Sequence, residues 1–184
     1  EEAIGKGNDV VIAPHSWSCI IAGSAFAGLG KKGWEAGGKG GGVIRAAYIA
    51  AFILPEGMSL VDVIQHDIPD CWDGPHVDPH DPKIFYNDLP EAEQKYWLSH
   101  IESHSLATWY SKTTAAFWKE IPTSYLLCED DVCIPAVGQD MITHGVKEMG
   151  GEIEVTRIRS GHSHFLSKPG ETVNWIRRVA GGDF

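Results

Sequence analysis

The chain has no apolar run long enough to cross a bilayer. Its longest, AAYIAAFIL at residues 46–54, has nine residues, against the roughly 20 that a membrane-spanning helix needs. The opening EEAIGKGNDV lacks the pattern of a signal peptide. Cysteine is scarce and scattered: Cys19, Cys71, Cys128 and Cys133 show no CxxC spacing, which excludes a disulfide scaffold and a zinc ribbon and fits a reducing compartment. The expectation is a soluble, cytoplasmic protein. Basic residues are also few, with Lys+Arg 15 against Asp+Glu 25 and a formal charge of -10, so phosphate backbones and anionic membrane surfaces are repelled. Lys31, Lys32 and Lys39 come nearest to a cluster, inside GKKGWEAGGKGGG. That stretch lacks the GxxxxGK[ST] of a phosphate loop and reads as a flexible surface loop over residues 30–42.

What remains is a chain of 184 residues, 43% apolar and with 7 Trp, long enough for one domain with a substantial core, spanning residues 1–184. The run VVIA at residues 10–13 suits a strand buried on both faces. SCIIAGSAFAGL reads as a helix of small residues, and a second strand falls within residues 43–54. Residues 55–120 change character, to loops rich in proline, histidine and aromatics followed by the helical stretches EAEQKYWLSHI and SLATWYSKTTAAFWKEI. We read them as a helical insertion covering the domain. After it come a strand in PTSYLLCEDD, a helix in IPAVGQDMITHGVKEMG, a strand in EIEVTRI and a helix in ETVNWIRRVA. This order predicts an α/β fold with a predominantly parallel sheet flanked by helices.

Ser16, Asp131 and His162 each follow a predicted strand, 115 and 31 residues apart. The carboxyl ends of parallel strands share one edge, so residues remote in sequence converge there. Taken singly, a serine at a strand end is usually a helix cap, an aspartate in EDD a solvated cap, and a lone histidine a surface or hydrogen-bonded group. Taken together, the chain order Ser, Asp, His is that of the α/β-hydrolase triad.

The blocks PHSWS, AAFILPEGMSL, FYNDLP, CEDDVCIP and SGHSHFLSKPGET resemble the α/β-hydrolase superfamily, in particular fungal hydrolases related to plant methyl esterases and hydroxynitrile lyases. The resemblance covers nearly the whole chain from Val10 onward and implies Ser16 as nucleophile, His162 as general base and Asp131 as the group that orients it. Asp131 is favoured over Asp130 by the CExDxxIP pattern, and His162 over His164 by the Gly161-His162 pair. The resemblance also implies a lid built from residues 55–120 and one oxyanion donor, the backbone N–H of Trp17. The second donor normally comes from a loop after an earlier strand, so the chain is expected to correspond to the C-terminal two-thirds of such a hydrolase. Its sheet would then end in an exposed edge able to pair with a second copy.

Two positions depart from the usual GxSxG, where close strand–helix packing leaves little room: Pro14 and Ser18 flank the serine instead. Proline fixes φ and donates no ladder bond, which restricts it to a strand end. His15, Phe85, Tyr86 and Trp109 are the expected substrate-side residues, with the aromatics supplying an apolar wall. His76, Asp78, His80 and Asp81 have metal-ligand spacing, but their loop setting argues for a polar surface loop, so no metal and no cofactor are expected. Three functions follow: hydrolysis of a small carboxylic ester through an acyl-serine, non-catalytic binding on the same scaffold, and a hydroxynitrile-lyase type of cleavage.

Overall fold

The short β-branched run of the first predicted strand forms β1 (Asp9–Ile12), after a single helical turn, α1 (Glu2–Gly5). The computed structural model describes residues 2–64, 72–73 and 75–181. β1 leads into α2 (Ser18–Ala25), whose small residues let it lie close to the sheet, with Cys19, Ile20, Ala22 and Gly23 buried. The helix ends four residues before the apolar pattern does, because Phe26 turns away from helical dihedrals as its C-cap.

The glycine-rich stretch is not the flexible loop that its composition suggests. It holds α3 (Lys31–Ala36) and joins β2 (Gly42–Ile49) directly. Trp34 packs on the core, and Lys31 pairs with Asp9 of β1 at 2.7 Å. Gly42, at φ 144, explains the composition: a Cβ there would come within 2.8 Å of the Lys31 amide nitrogen. The glycine serves close backbone approach rather than mobility.

Residues 50–54 leave β2 through Ala50, held at φ 39. Two buried side chains fasten them. The Tyr125 hydroxyl donates to the Ala51 carbonyl at 2.9 Å and accepts from its N–H at 2.8 Å, while Trp118 Nε1 donates to the Leu54 carbonyl at 2.9 Å.

Next comes α4 (Leu60–Val63), started by a Ser59–Asp62 capping box. A small antiparallel sheet follows, formed by β3 (Trp72–Asp73), β4 (His76–Val77) and β5 (His104–Ser105). Between β4 and β5 lie α5 (Lys83–Tyr86) and α6 (Glu91–Leu98). The helix expected across residues 105–121 is broken into α7 (Ala107–Tyr110) and a 3-10 turn, Phe117–Lys119. Thr113 breaks it. Its hydroxyl bonds to the carbonyls of Pro55 and Met58, and its amide donates to Met58 as well, so its backbone is committed to the bend at residues 55–58.

The remaining elements are β6 (Thr123–Cys128), α8 (Ala136–Glu148), β7 (Ile153–Ile158), α9 (His164–Ser167) and α10 (Pro169–Val179). The main sheet runs β1-β2-β6-β7 with every pairing parallel. Every residue of β6 is buried, as a central strand covered on both faces requires. Tyr125 and Leu127 enter one core cluster with Phe117 and Trp118, whereas Leu126 and Cys128 enter another with Trp175 of α10. Among the described residues no helix is long and apolar enough to cross a membrane.

Candidate active site

Ser16 sits between β1 and α2 at φ 56, a left-handed conformation costing a non-glycine residue roughly 1–2 kcal/mol. Such strain persists only where neighbours over-determine it, and here they do. The Ser16 amide donates to the Ile49 carbonyl at 3.1 Å, and the Ile49 amide to the Pro14 carbonyl at 3.1 Å. Pro14 lies past the end of β1 and enters this ladder only through its oxygen, so its missing N–H removes no bond. Ser18 is equally well used. Its hydroxyl donates to the His15 carbonyl at 2.6 Å and accepts from the His15 amide at 3.2 Å, closing the turn around the serine.

Asp131 and His162 arrive from the ends of β6 and β7, and both are buried, at 5% and 1% exposure. Asp131 Oδ1 accepts from the amides of Cys133 at 2.8 Å and Ile134 at 2.9 Å. Its Oδ2 receives Gln139 Nε2 at 3.2 Å and His162 Nδ1 at 2.8 Å. A carboxylate can only accept, so neutral His162 carries its proton on Nδ1 and turns the Nε2 lone pair outward. Ser16 Oγ lies 2.9 Å from that lone pair. The neighbouring candidates have other attachments: Asp130 is exposed, and His164 Nδ1 bonds to Thr172 Oγ1 at 2.6 Å.

The other predicted residues surround this relay. The His15 ring packs tilted against His162 with centroids 4.6 Å apart, and its Nε2–H donates to the His162 carbonyl at 3.0 Å. Burial, then the nearness of His162, lowers the His15 pKa to about 3, so His15 is neutral and packs behind the His162 ring. The Phe85 ring stands 5.6 Å from His162, and Tyr86 is buried edge-on against Phe85 at 6.2 Å. Trp17 faces His104 at 5.4 Å, and Trp109 Nε1 donates to His104 Nε2 at 3.0 Å. Trp17 immediately precedes the first turn of α2, where backbone N–H groups lack partners within the helix.

Asp81 accepts from the Lys83 amide through Oδ1 at 2.9 Å, and among the described residues no three His, Cys, Asp or Glu side chains gather to hold an ion. Trp72 belongs to β3, but its side chain lies outside what is described, as does Cys71. A groove of about 600 Å³ between α8 and β7, lined by Val137, Met141 and Arg157 among others, contains no member of the relay.

Sequence reasoning missed Gln139, which is fully buried and bonds to Asp131, to both backbone groups of Cys128 and to the Ile134 carbonyl. A signal for it existed: Gln139 shares the buried stripe of α8 with Thr143 and Val146, at helical spacing. It also missed Asn87 and Asp88, which reach the two loops carrying Asp131 and His162.

Comparison with known proteins gives concordant results. The family model described as "Alpha/beta hydrolase family" matches residues 1–175. The alpha/beta hydrolase nvfD of Aspergillus novofumigatus is 30% identical over 188 residues, covering 96% of this chain and 72% of that protein. Among solved structures, an extracellular alpha/beta-hydrolase from a Paenibacillus species superposes with TM-score 0.69 at 15% identity, over 95% of this chain and 73% of the other. Polyneuridine aldehyde esterase superposes with TM-score 0.67 at 16% identity, over 97% of this chain and 74% of that one.

Proposed function

The chain belongs to the alpha/beta hydrolase family, and on that premise we propose that it is a serine hydrolase that cleaves small carboxylic esters through an acyl-serine intermediate. One observation carries the reading: Asp131, His162 and Ser16 form an unbroken relay at 2.8 and 2.9 Å, with the serine held in a strained turn. The ester class is the finer part of the proposal, and the fold shared with polyneuridine aldehyde esterase motivates it.

A serine hydroxyl is a poor nucleophile at neutral pH, so His162 Nε2 takes its proton as Oγ attacks the ester carbonyl. The resulting imidazolium is stabilised by Asp131, which also fixes the tautomer. Charge that develops on the carbonyl oxygen is met by the Trp17 N–H. His162 then returns the proton to the departing alkoxide, and water repeats the sequence to release the acid and free Ser16. Residues 55–120 act as the lid, with Phe85, Tyr86 and Trp109 forming an apolar wall beside the base and the nucleophile turn. Pro14 and Ser18, which depart from the usual glycine-flanked pattern, are both accommodated in the serine turn.

A fluorophosphonate probe with intact-mass readout tests the reading. The expected result is one adduct on the parent and none on Ser16→Ala, together with turnover of p-nitrophenyl acetate and no aldehyde release from a cyanohydrin. A folded parent that takes up no probe overturns it.

A further inference from the structure

The catalytic histidine and its acid stand on loops, not within helices or strands, and a loop alone does not hold reacting groups in register. Two adjacent side chains address this. Asn87 Nδ2 donates to the carbonyl of Asp130 at 2.8 Å, and Asp130 immediately precedes Asp131. Asp88 Oδ2 accepts from the amide of Gly161 at 2.7 Å, and Gly161 immediately precedes His162. The same oxygen accepts from Ser167 Oγ at 2.6 Å, at the far end of α9. One turn thus grips the residue before the acid and the residue before the base.

The fit is close. A Cβ at Gly161 would come within 2.7 Å of Asp88 Oδ1 and nearer still to Asn87 Oδ1, so glycine is required there for space. Both Oδ1 atoms are buried with no hydrogen-bond partner among the described residues, a cost that a simple surface tether would avoid. Phe85, two positions earlier, places its ring 5.6 Å from His162. The segment that supplies the apolar wall is therefore the segment that holds the relay.

We propose that Asn87 and Asp88 are positioning residues that clamp the Asp131 and His162 loops, so that Ser16, His162 and Asp131 stay aligned. This rests on the serine-hydrolase reading above. Neither residue touches the reacting atoms; both act through the backbone next to the groups that do, where small displacements slow a reaction steeply.

The experiment is a concentration series of fluorophosphonate labelling on the parent, Asn87→Ala, Asp88→Ala and Asp88→Asn. The expected result for each alanine variant is a maximal labelling rate lowered by about tenfold or more, with the half-saturating concentration within about twofold of the parent's. In Asp88→Asn the side-chain oxygen still accepts from Gly161, so the rate recovers to within about threefold of the parent. Near-UV circular dichroism establishes that each variant is folded. If Asp88→Ala unfolds, Gly161→Ala carries the test, because its methyl group displaces both side chains without removing either, and the same fall in rate is expected. Labelling of Asp88→Ala or Gly161→Ala at the parent's maximal rate overturns the clamp, as does a loss confined to half-saturation or a failure of Asp88→Asn to recover. An unlabelled parent overturns the hydrolase reading and the clamp together, whereas a labelled parent with unaffected variants overturns the clamp alone.

Discussion

Gln139 Nε2 donates to Asp131 Oδ2 at 3.2 Å while Gln139 Oε1 accepts from the Cys128 amide at 3.1 Å, so one buried amide ties the end of β6 to the acid. Gln139→Leu fills similar space but strands the Cys128 amide and the Ile134 carbonyl. Unfolding in urea is expected to show a loss of roughly 2–4 kcal/mol. Ser16 labelling should fall less than in an Asp131 variant, because two backbone amides still hold Asp131 Oδ1.

Asp131→Asn keeps the size of the side chain and the contacts that it can still accept. What it loses is the charge that orients His162 and stabilises its imidazolium. The expected kcat for ester turnover is about 10³- to 10⁴-fold below the parent's, with far-UV dichroism unchanged. A variant within tenfold of the parent would remove Asp131 from the relay.

Ser16 should reveal its strain when its hydroxyl is removed in two ways. Neither Ser16→Ala nor Ser16→Gly can be labelled, but only glycine adopts φ 56 freely. Ser16→Gly is therefore expected to be more stable than Ser16→Ala by about 1 kcal/mol, read as a higher Tm by differential scanning calorimetry.

Half-buried His15 and buried His164 should make the fold acid-sensitive. Burial, then the nearness of His162, lowers the pKa of His15 to about 3 and that of His164 to about 4, both below the usual 6.5. Below pH 6.5 the unfolded chain takes up protons that the folded chain refuses. The stability they contribute is thus complete above pH 6.5 and is lost as pH falls toward 4 and then 3, at up to about 1.4 kcal/mol per pH unit for each group. Urea unfolding at pH 7 and pH 5 should show the loss. His164→Gln should flatten the pH dependence, since an amide can still donate to Thr172 yet does not titrate.

The strands of the parallel sheet were legible because each is a short apolar run bounded by turn residues, and the convergence of Ser16, Asp131 and His162 was legible because each follows such a run. Other features left no trace at that level. Glycine abundance looks the same whether it serves mobility or, as at Gly42, the close approach of α3. β3, β4 and β5 are two residues long, too short for an alternating pattern to register. Thr113 breaks a helix through bonds to residues 55–58, and Asp88 holds a glycine 73 positions away. A sequence presents such residues as ordinary polar loop chemistry, since what sets their role is a partner far along the chain.

The turn around Ser16 is secured by the hydroxyl of Ser18 rather than by a glycine. Proteome scans that search for the glycine-flanked serine pattern will therefore pass over chains built this way and file them among proteins with no catalytic signature. A scan keyed to geometry would retrieve them: a serine at positive φ directly after a parallel strand, with a side-chain oxygen two residues on that closes back upon the preceding peptide.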